Sequence, residues 1–324
     1  MYTSEDLIKI VNRSLSEISY PDKPENLYEP IRYVMSLGGK RIRPVMLLLV
    51  YNMYGKDIDE ALKVAMALEI YNNYTLLHDD LMDNADMRRG HATVHKRWNT
   101  NTAILSGDTM LVLAYKYLIS AKTDCVDELA RIFTQTAIEI GEGQQYDMNF
   151  ENRLDVTAAE YLEMILLKTS VLIAGAAKMG AIIGSAPRED AESLYKFGEM
   201  IGMAFQLQDD YLDVYGDPAV FGKKIGGDIL CNKKTYLLIK ALSNADGPTR
   251  EELLQWLTAK QFDPAEKIRA VTDIYNRLGV ADDVMALIDK YFERSKGLFD
   301  EVSLPYDRKR EVWRFVSSLI GRKS

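Results

Sequence analysis

Two aspartate clusters, Asp79-Asp80-Leu81-Met82-Asp83 and Asp209-Asp210-Tyr211-Leu212-Asp213, repeat one DDxxD spacing at positions 130 residues apart. On an α-helix the first and last aspartates of each cluster fall on one face, a turn from each other. Carboxylates so crowded repel and require a neutralising partner. A hard divalent cation with oxygen ligands, Mg²⁺ above all, meets that need and leaves positions open for substrate phosphates. Apolar sequence precedes both clusters, Thr75-Leu76-Leu77-His78 in one case and Ala204-Phe205-Gln206-Leu207-Gln208 in the other. That context argues against two solvated acidic faces.

Cations accompany the carboxylates. Leu37-Gly38-Gly39-Lys40-Arg41-Ile42-Arg43-Pro44 sets three basic residues beside a glycine pair, and Arg88-Arg89-Gly90 follows the first cluster. Glycines let backbone amides approach an anion, while Lys and Arg supply charge and forked donors. Lys168-Thr169 lies inside an apolar segment. Beyond the second cluster come Phe221-Gly222-Lys223-Lys224-Ile225-Gly226-Gly227-Asp228 and Asn232-Lys233-Lys234-Thr235. Each piece alone reads as a solvated basic turn. Jointly they describe a cavity that grips a diphosphate through several Mg²⁺ ions.

These groups need rigid carriers, and the sequence predicts helices. No proline occurs between Pro44 and Pro187, a stretch rich in Ala, Leu, Met, Glu, Lys and Ile with 3.6-residue apolar periodicity. Ala61–Leu81 is apolar nearly all round and reads as a buried central helix; Thr157–Ile183 and Ala191–Tyr215 read similarly. Breaks are expected at Pro21–Pro30, Gly38-Gly39, Asn84–Asn101, Gly184–Glu189, Gly216–Lys234 and Asn244–Pro248. Alternating β-branched runs are missing, so the fold class is all-α, taken as a single domain over residues 1–324 with its motif core at about 38–235.

Composition bounds the partners. The chain has 324 residues, 47% of them hydrophobic, and a net charge of −8, which argues against general nucleic-acid binding. Cys125 and Cys231 match neither a disulfide framework nor a zinc site, which favours a reducing compartment such as the cytoplasm. The acidic-amphipathic N-terminus shows no signal-peptide pattern, and no membrane-spanning segment is expected. His78, His91 and His95 read as structural and not as zinc ligands. Val312, Phe315, Val316, Leu319 and Ile320 form an apolar stripe near the C-terminus, which either packs on its own domain or touches an anionic membrane.

From Gly38 to Thr235 the ordered motifs GGKRIRP, LLHDDLMDNADMRRG, KTS, FQLQDDYLD and FGKKIGGD…KKT resemble those of the trans-isoprenyl diphosphate synthases, the polyprenyl synthetase family of short-chain type. The resemblance implies an isoprenoid synthase fold, a bundle of long helices around a central cavity, and a homodimer. It also implies Mg²⁺-dependent, head-to-tail 1′–4 condensation of isopentenyl diphosphate with dimethylallyl, geranyl or farnesyl diphosphate. The departing diphosphate itself would take up the proton, so no nucleophilic triad is needed.

The residues carry over one by one. Asp79, Asp80, Asp83, Asp209, Asp210 and Asp213 would hold the metal, three ions in all. Arg88, Lys168, Thr169, Gln206, Lys223 and Lys233 would contact the allylic substrate, and Lys40, Arg43 and Arg89 isopentenyl diphosphate. Catalysis would fall on Asp79, Asp80, Asp83, Asp209 and Asp210 with Arg88, Lys168 and Lys223. Asn72 stands where the family commonly has His or Gln, so a weaker or repositioned contact with isopentenyl diphosphate is expected there.

Product length would be set upstream of Asp79. Family experience favours Tyr74, whereas ideal-helix geometry puts Asn72, Thr75 and Tyr71 nearer the face of Asp79. Tyr71, Tyr74 and Thr75 are therefore the candidates, with a C20 product favoured and C15 next. A class I terpene cyclase usually lacks a second DDxxD, and a non-catalytic partner subunit typically loses both clusters; these are the rival readings.

Overall fold

The computed structural model describes residues 2–217 and 225–321. It is all-α apart from one two-residue hairpin among the described residues. Two compact units emerge. The first comprises residues 1–137, 172–195 and 300–315; the second comprises 138–171, 196–299 and 316–324.

In the first unit, helix α1 (Ser4–Ser16) is started by a Thr3–Asp6 capping box. Helix α2 spans Glu25–Ser36 with Pro30 inside it, which corrects the break expected across Pro21–Pro30. Pro30 forgoes one helical hydrogen bond but is buried, and Ile31, Val34 and Met35 bury the same helix beside it. Helix α3 (Ile42–Tyr54) is almost wholly buried. Helix α4 (Asp59–Met82) is the central element anticipated over residues 61–81, with residues from Ala61 to Tyr71 buried nearly all round. It packs on α3 and on helix α6 (Thr100–Ile119), which Asn99 caps through Thr102 N–H.

Between α4 and α6, strands β1 (Met87–Arg88) and β2 (His91–Ala92) pair antiparallel around a short turn at Arg89-Gly90. Both turn residues have positive φ, 53° and 77°, the geometry of a two-residue I′-type turn. This turn re-aims the chain, so that Arg88 points back at the end of α4.

In the second unit, helix α8 (Ala158–Ile165) starts at a Thr157–Glu160 capping box. It widens into a π-helical turn, Leu166–Ser170, and the chain continues as helix α9 (Val171–Ile183), which from residue 172 belongs to the first unit. Helix α10 runs from Arg188 to Tyr215. A core of Tyr161, Met164, Leu207, Leu237, Leu253, Ile274 and Val284 holds this unit together.

The continuous helical stretch Ala158–Ile183 is long and apolar enough to cross a membrane, unlike the expectation, but 72% of its most apolar window is buried within the protein. In the C-terminal helix Tyr306–Ile320, Val312, Phe315, Val316 and Leu319 are buried. The apolar stripe is thus covered by protein, which favours the packing alternative.

Candidate active site

At the C-terminal end of α4, Asp80 is buried and Asp79 partly so, while Asp83 sits in the exposed C-cap position. Arg88 Nε donates to Asp80 Oδ1 at 2.6 Å and Arg88 Nη2 to Asp79 Oδ2 at 3.2 Å. One guanidinium therefore bridges two carboxylates. Burial pushes the Asp80 carboxyl up to about 6, with Arg88 opposing and Asp79 and Asp83 adding repulsion. Burial outweighs pairing, which marks Asp80 as a costly buried charge.

Beside it, Arg89 donates to the carbonyl of Gly38 and, at 3.4 Å, to Asn73 Oδ1. Gly39 is required here: a Cβ on it would fall 2.8 Å from the Arg89 guanidinium, and its φ is 147°. Of the GGKR segment, Lys40 is exposed, whereas Arg41 is buried in an ion pair with Glu69 at 2.5 Å. Arg43 Nε is buried with no hydrogen-bond partner among the described residues. Asn72 is buried, but Asn73 is the residue whose amide meets Arg89.

Upstream on α4 the aromatic rings stack into a column. His78 meets Tyr74 at 4.9 Å, Tyr74 meets Tyr71 at 5.4 Å, and Tyr71 meets Phe133 at 5.1 Å. Phe133 in turn packs on Tyr115 at 5.0 Å. Tyr71 and Tyr74 thus touch within one line of rings. Thr75 is different: its hydroxyl donates to Asn72 O at 2.9 Å, within its own helix.

In the second unit, Asp210 is buried and both its oxygens are occupied. Gln206 Nε2 donates to Oδ1 at 2.8 Å, and the fully buried Tyr161 hydroxyl donates to Oδ2. Burial, with Asp228 adding repulsion, raises the Asp210 pKa. Thr169 Oγ1 donates to Gln206 Oε1 at 3.0 Å, so Thr169, Gln206 and Asp210 form a relay. Lys168 Nζ donates to Asp147 Oδ2 at 2.6 Å. Asp213 accepts from the backbone N–H of Asp228 at 2.9 Å, pinning the chain beyond the cluster to α10.

The π-turn is what presents Lys168 and Thr169. Helix α7 (Val126–Phe150) and α10 approach it closely through glycines. A Cβ on Gly143 would lie 2.3 Å from Lys168 N, and one on Gly202 2.5 Å from Ser170 Cα. Such widened turns are frequent at functional sites.

The structure therefore gathers Asp79, Asp80, Arg88, Arg89 and the GGKR segment in one unit. It gathers Lys168, Thr169, Gln206, Asp210 and Asp213 in the other, where the positive charge of Lys233 opposes the upward shift of the Asp210 carboxyl. Lys223 lies outside the described residues. Among the described residues, no three acidic, histidine or cysteine side chains already form a metal's ligand set. Sequence reasoning missed Glu69, Asn73 and Tyr161. The signal for Glu69 was an ionisable residue in an apolar run, and for Tyr161 a phenol seven residues before Lys168.

Comparison with known proteins points to one family. The family model for polyprenyl synthetase matches residues 24–275. A geranylgeranyl diphosphate synthase of Methanosarcina mazei is 38% identical over 90% of this chain and 88% of its own length. A crystal structure of a geranylgeranyl pyrophosphate synthase superposes with a TM-score of 0.94 at 41% identity, covering all of both chains. Another, from Corynebacterium glutamicum and complexed with isoprenyl diphosphate and magnesium, gives 0.85 at 25% identity over 99% of this chain and 96% of that one.

Proposed function

Because this chain belongs to the polyprenyl synthetase family, we propose that it is a trans-prenyltransferase. It joins isopentenyl diphosphate, head to tail, to an allylic diphosphate and releases diphosphate, with C20 the favoured product and C15 next. The matches are to chain-elongating synthases, and they favour neither the cyclase nor the non-catalytic subunit. The continuous family match supports reading the chain as one domain. The carrying observation is the buried Asp80, tied with Asp79 to one arginine, at the end of an apolar helix.

Asp79, Asp80, Asp83, Asp209, Asp210 and Asp213 are the metal ligands in this reading. Their donors suit a hard divalent ion: all are carboxylate oxygens, and burial makes Asp80 and Asp210 poor anions until a cation joins them. When bound by these carboxylates, Mg²⁺, three ions in this reading, would supply positive charge to the leaving diphosphate. Arg88, Lys168, Thr169, Gln206 and Lys233 hold the allylic diphosphate, with Lys223 assigned to the same task from its motif alone. Lys40, Arg43, Asn72 and Arg89 hold isopentenyl diphosphate. The apolar helices keep water from the allylic cation. The test is incubation with Mg²⁺, labelled isopentenyl diphosphate and each allylic primer, with products resolved by chain length.

Protons compete with metal for Asp80. Its pKa of about 6 is raised, so the folded protein holds that proton through the range where an unfolded chain has released it. The group thus favours folding below the ordinary aspartate pKa, and this contribution is lost as pH rises through about 6. Mg²⁺ affinity is expected to weaken about fourfold between pH 7.5 and 5.5, the ratio of the ionised fractions of one carboxyl titrating near 6. Calorimetric Mg²⁺ titration at the two pH values checks this, and equal affinities contradict it.

A homodimer through α6 also fits. Leu105, Val112 and Ile119 recur every seven residues on one face and are 59%, 67% and 65% exposed. Light scattering of wild type should give twice the chain mass, and Leu105→Glu/Val112→Glu the single-chain mass. A monomeric wild type contradicts the dimer. A reducing, cytoplasmic location belongs to this reading, because the two cysteines match no disulfide framework in the sequence.

A further inference from the structure

Glu69 stands behind the basic cluster of the first unit, ten residues before Asp79 and almost fully buried. Its Oε1 accepts from Arg41 Nη1 at 2.5 Å and from Asn73 Nδ2 at 3.0 Å. The same amide nitrogen donates to Glu69 O at 2.8 Å. Arg41 is further fixed by donating from Nε to Asn12 Oδ1 at 2.8 Å. Arg41 is thus an internal strut and has no reach to a ligand.

Asn73 is 1% exposed, and its Oδ1 accepts a hydrogen bond from Arg89 Nη1 at 3.4 Å. An amide has two orientations, one presenting oxygen and the other two donors. With Nδ2 committed to Glu69, the oxygen must face Arg89. Reversal would set N–H groups against a guanidinium. Glu69 is also the opposing charge for Arg43 and Arg89, both of whose pKa values burial lowers.

We propose that Glu69 is a positioning residue for the isopentenyl diphosphate subsite, acting on Arg89 through Asn73. The proposal rests on the prenyltransferase reading above. It makes a counter-intuitive prediction, because deleting a negative charge near an anion site should strengthen anion binding if charge alone mattered. If Glu69 positions the cluster, Glu69→Gln weakens binding: the new amide is free to turn, Arg41 loses its counter-ion, and Asn73 is no longer held to one orientation.

The experiment measures steady-state kinetics with Mg²⁺, varying isopentenyl diphosphate at saturating geranyl diphosphate and then the reverse. In Glu69→Gln the KM for isopentenyl diphosphate is expected to rise about tenfold or more, as for a lost charge-assisted hydrogen bond. KM for the primer and kcat should move by less than about threefold. Glu69→Gln/Asn73→Asp returns a carboxylate one turn along α4, next to Arg89, and should recover most of the loss.

An unchanged or lowered KM for isopentenyl diphosphate, or an equal rise in both KM values, overturns the proposal. Should Glu69→Gln fail to fold, Asn73→Ala spares the Glu69–Arg41 pair and must show the same selective rise; a wild-type KM there overturns the relay. A wild-type enzyme that consumes no isopentenyl diphosphate with any primer overturns the prenyltransferase reading itself. An active wild type with an unshifted variant overturns only the role of Glu69.

Discussion

Asp79→Ala is expected to lower kcat/KM for condensation by roughly 10²–10³-fold or more while leaving the fold intact, the scale seen when one preorganised electrostatic contact is removed. Asp79 lies in the last turn of α4, with its side chain 17% exposed. Its loss opens no core cavity and takes nothing from the α3 or α6 packing. Arg88 would keep its 2.6 Å bond to Asp80 and so remain anchored. What disappears is a proposed metal ligand and half of the bridge that orders Arg88. Asp209→Ala should behave similarly on α10. Thermal unfolding separates the two accounts of any loss: a midpoint within a few degrees of wild type with activity gone assigns the residue to chemistry, whereas a parallel fall in both assigns it to structure.

Tyr74→Ala is expected to lengthen the main product by about one isoprene unit, because it removes one ring from a column of packed aromatics. Tyr74 is half-buried and Tyr71 is 2% exposed, so the first can be emptied at lower cost. Beneath it Tyr71 still stands on Phe133, itself backed by Tyr115. A single substitution therefore opens one layer and stops at the next. Tyr71→Ala/Tyr74→Ala should lengthen the product further, with a stability loss approaching the about 3–5 kcal/mol typical of a deleted buried aromatic. Thr75→Ala should change little, since its hydroxyl is already used by the helix backbone. Chromatography of the extracted products reads all three, and an unchanged length in both tyrosine variants rejects the column as the floor.

Much of this site was legible in the chain because its chemistry lies in short, dense motifs. DDxxD on a helix fixes which carboxylates share a face, and an apolar α4 follows from periodicity alone. What stayed hidden depends on contacts between segments far apart in sequence. The π-turn at Leu166–Ser170 lies against Gly143 and Gly202, which admit its backbone closely, and no local signal in LLKTS announces it. The partnership of Tyr161 with Asp210 spans 49 residues and that of Arg41 with Glu69 spans 28. Asn72 was singled out by motif position, yet a helix rotates about 100° per residue, and it is Asn73 that faces Arg89. Pro30 looked like a breaker, but the burial of the residues beside it carries α2 through.

The most direct measurement is the product formed when purified protein, Mg²⁺ and labelled isopentenyl diphosphate are incubated with dimethylallyl, geranyl or farnesyl diphosphate. The account predicts Mg²⁺-dependent elongation of a primer to an all-trans prenyl diphosphate, mainly C20, abolished by a chelator. No elongation with any primer, or a cyclised hydrocarbon in place of a linear diphosphate, would contradict it.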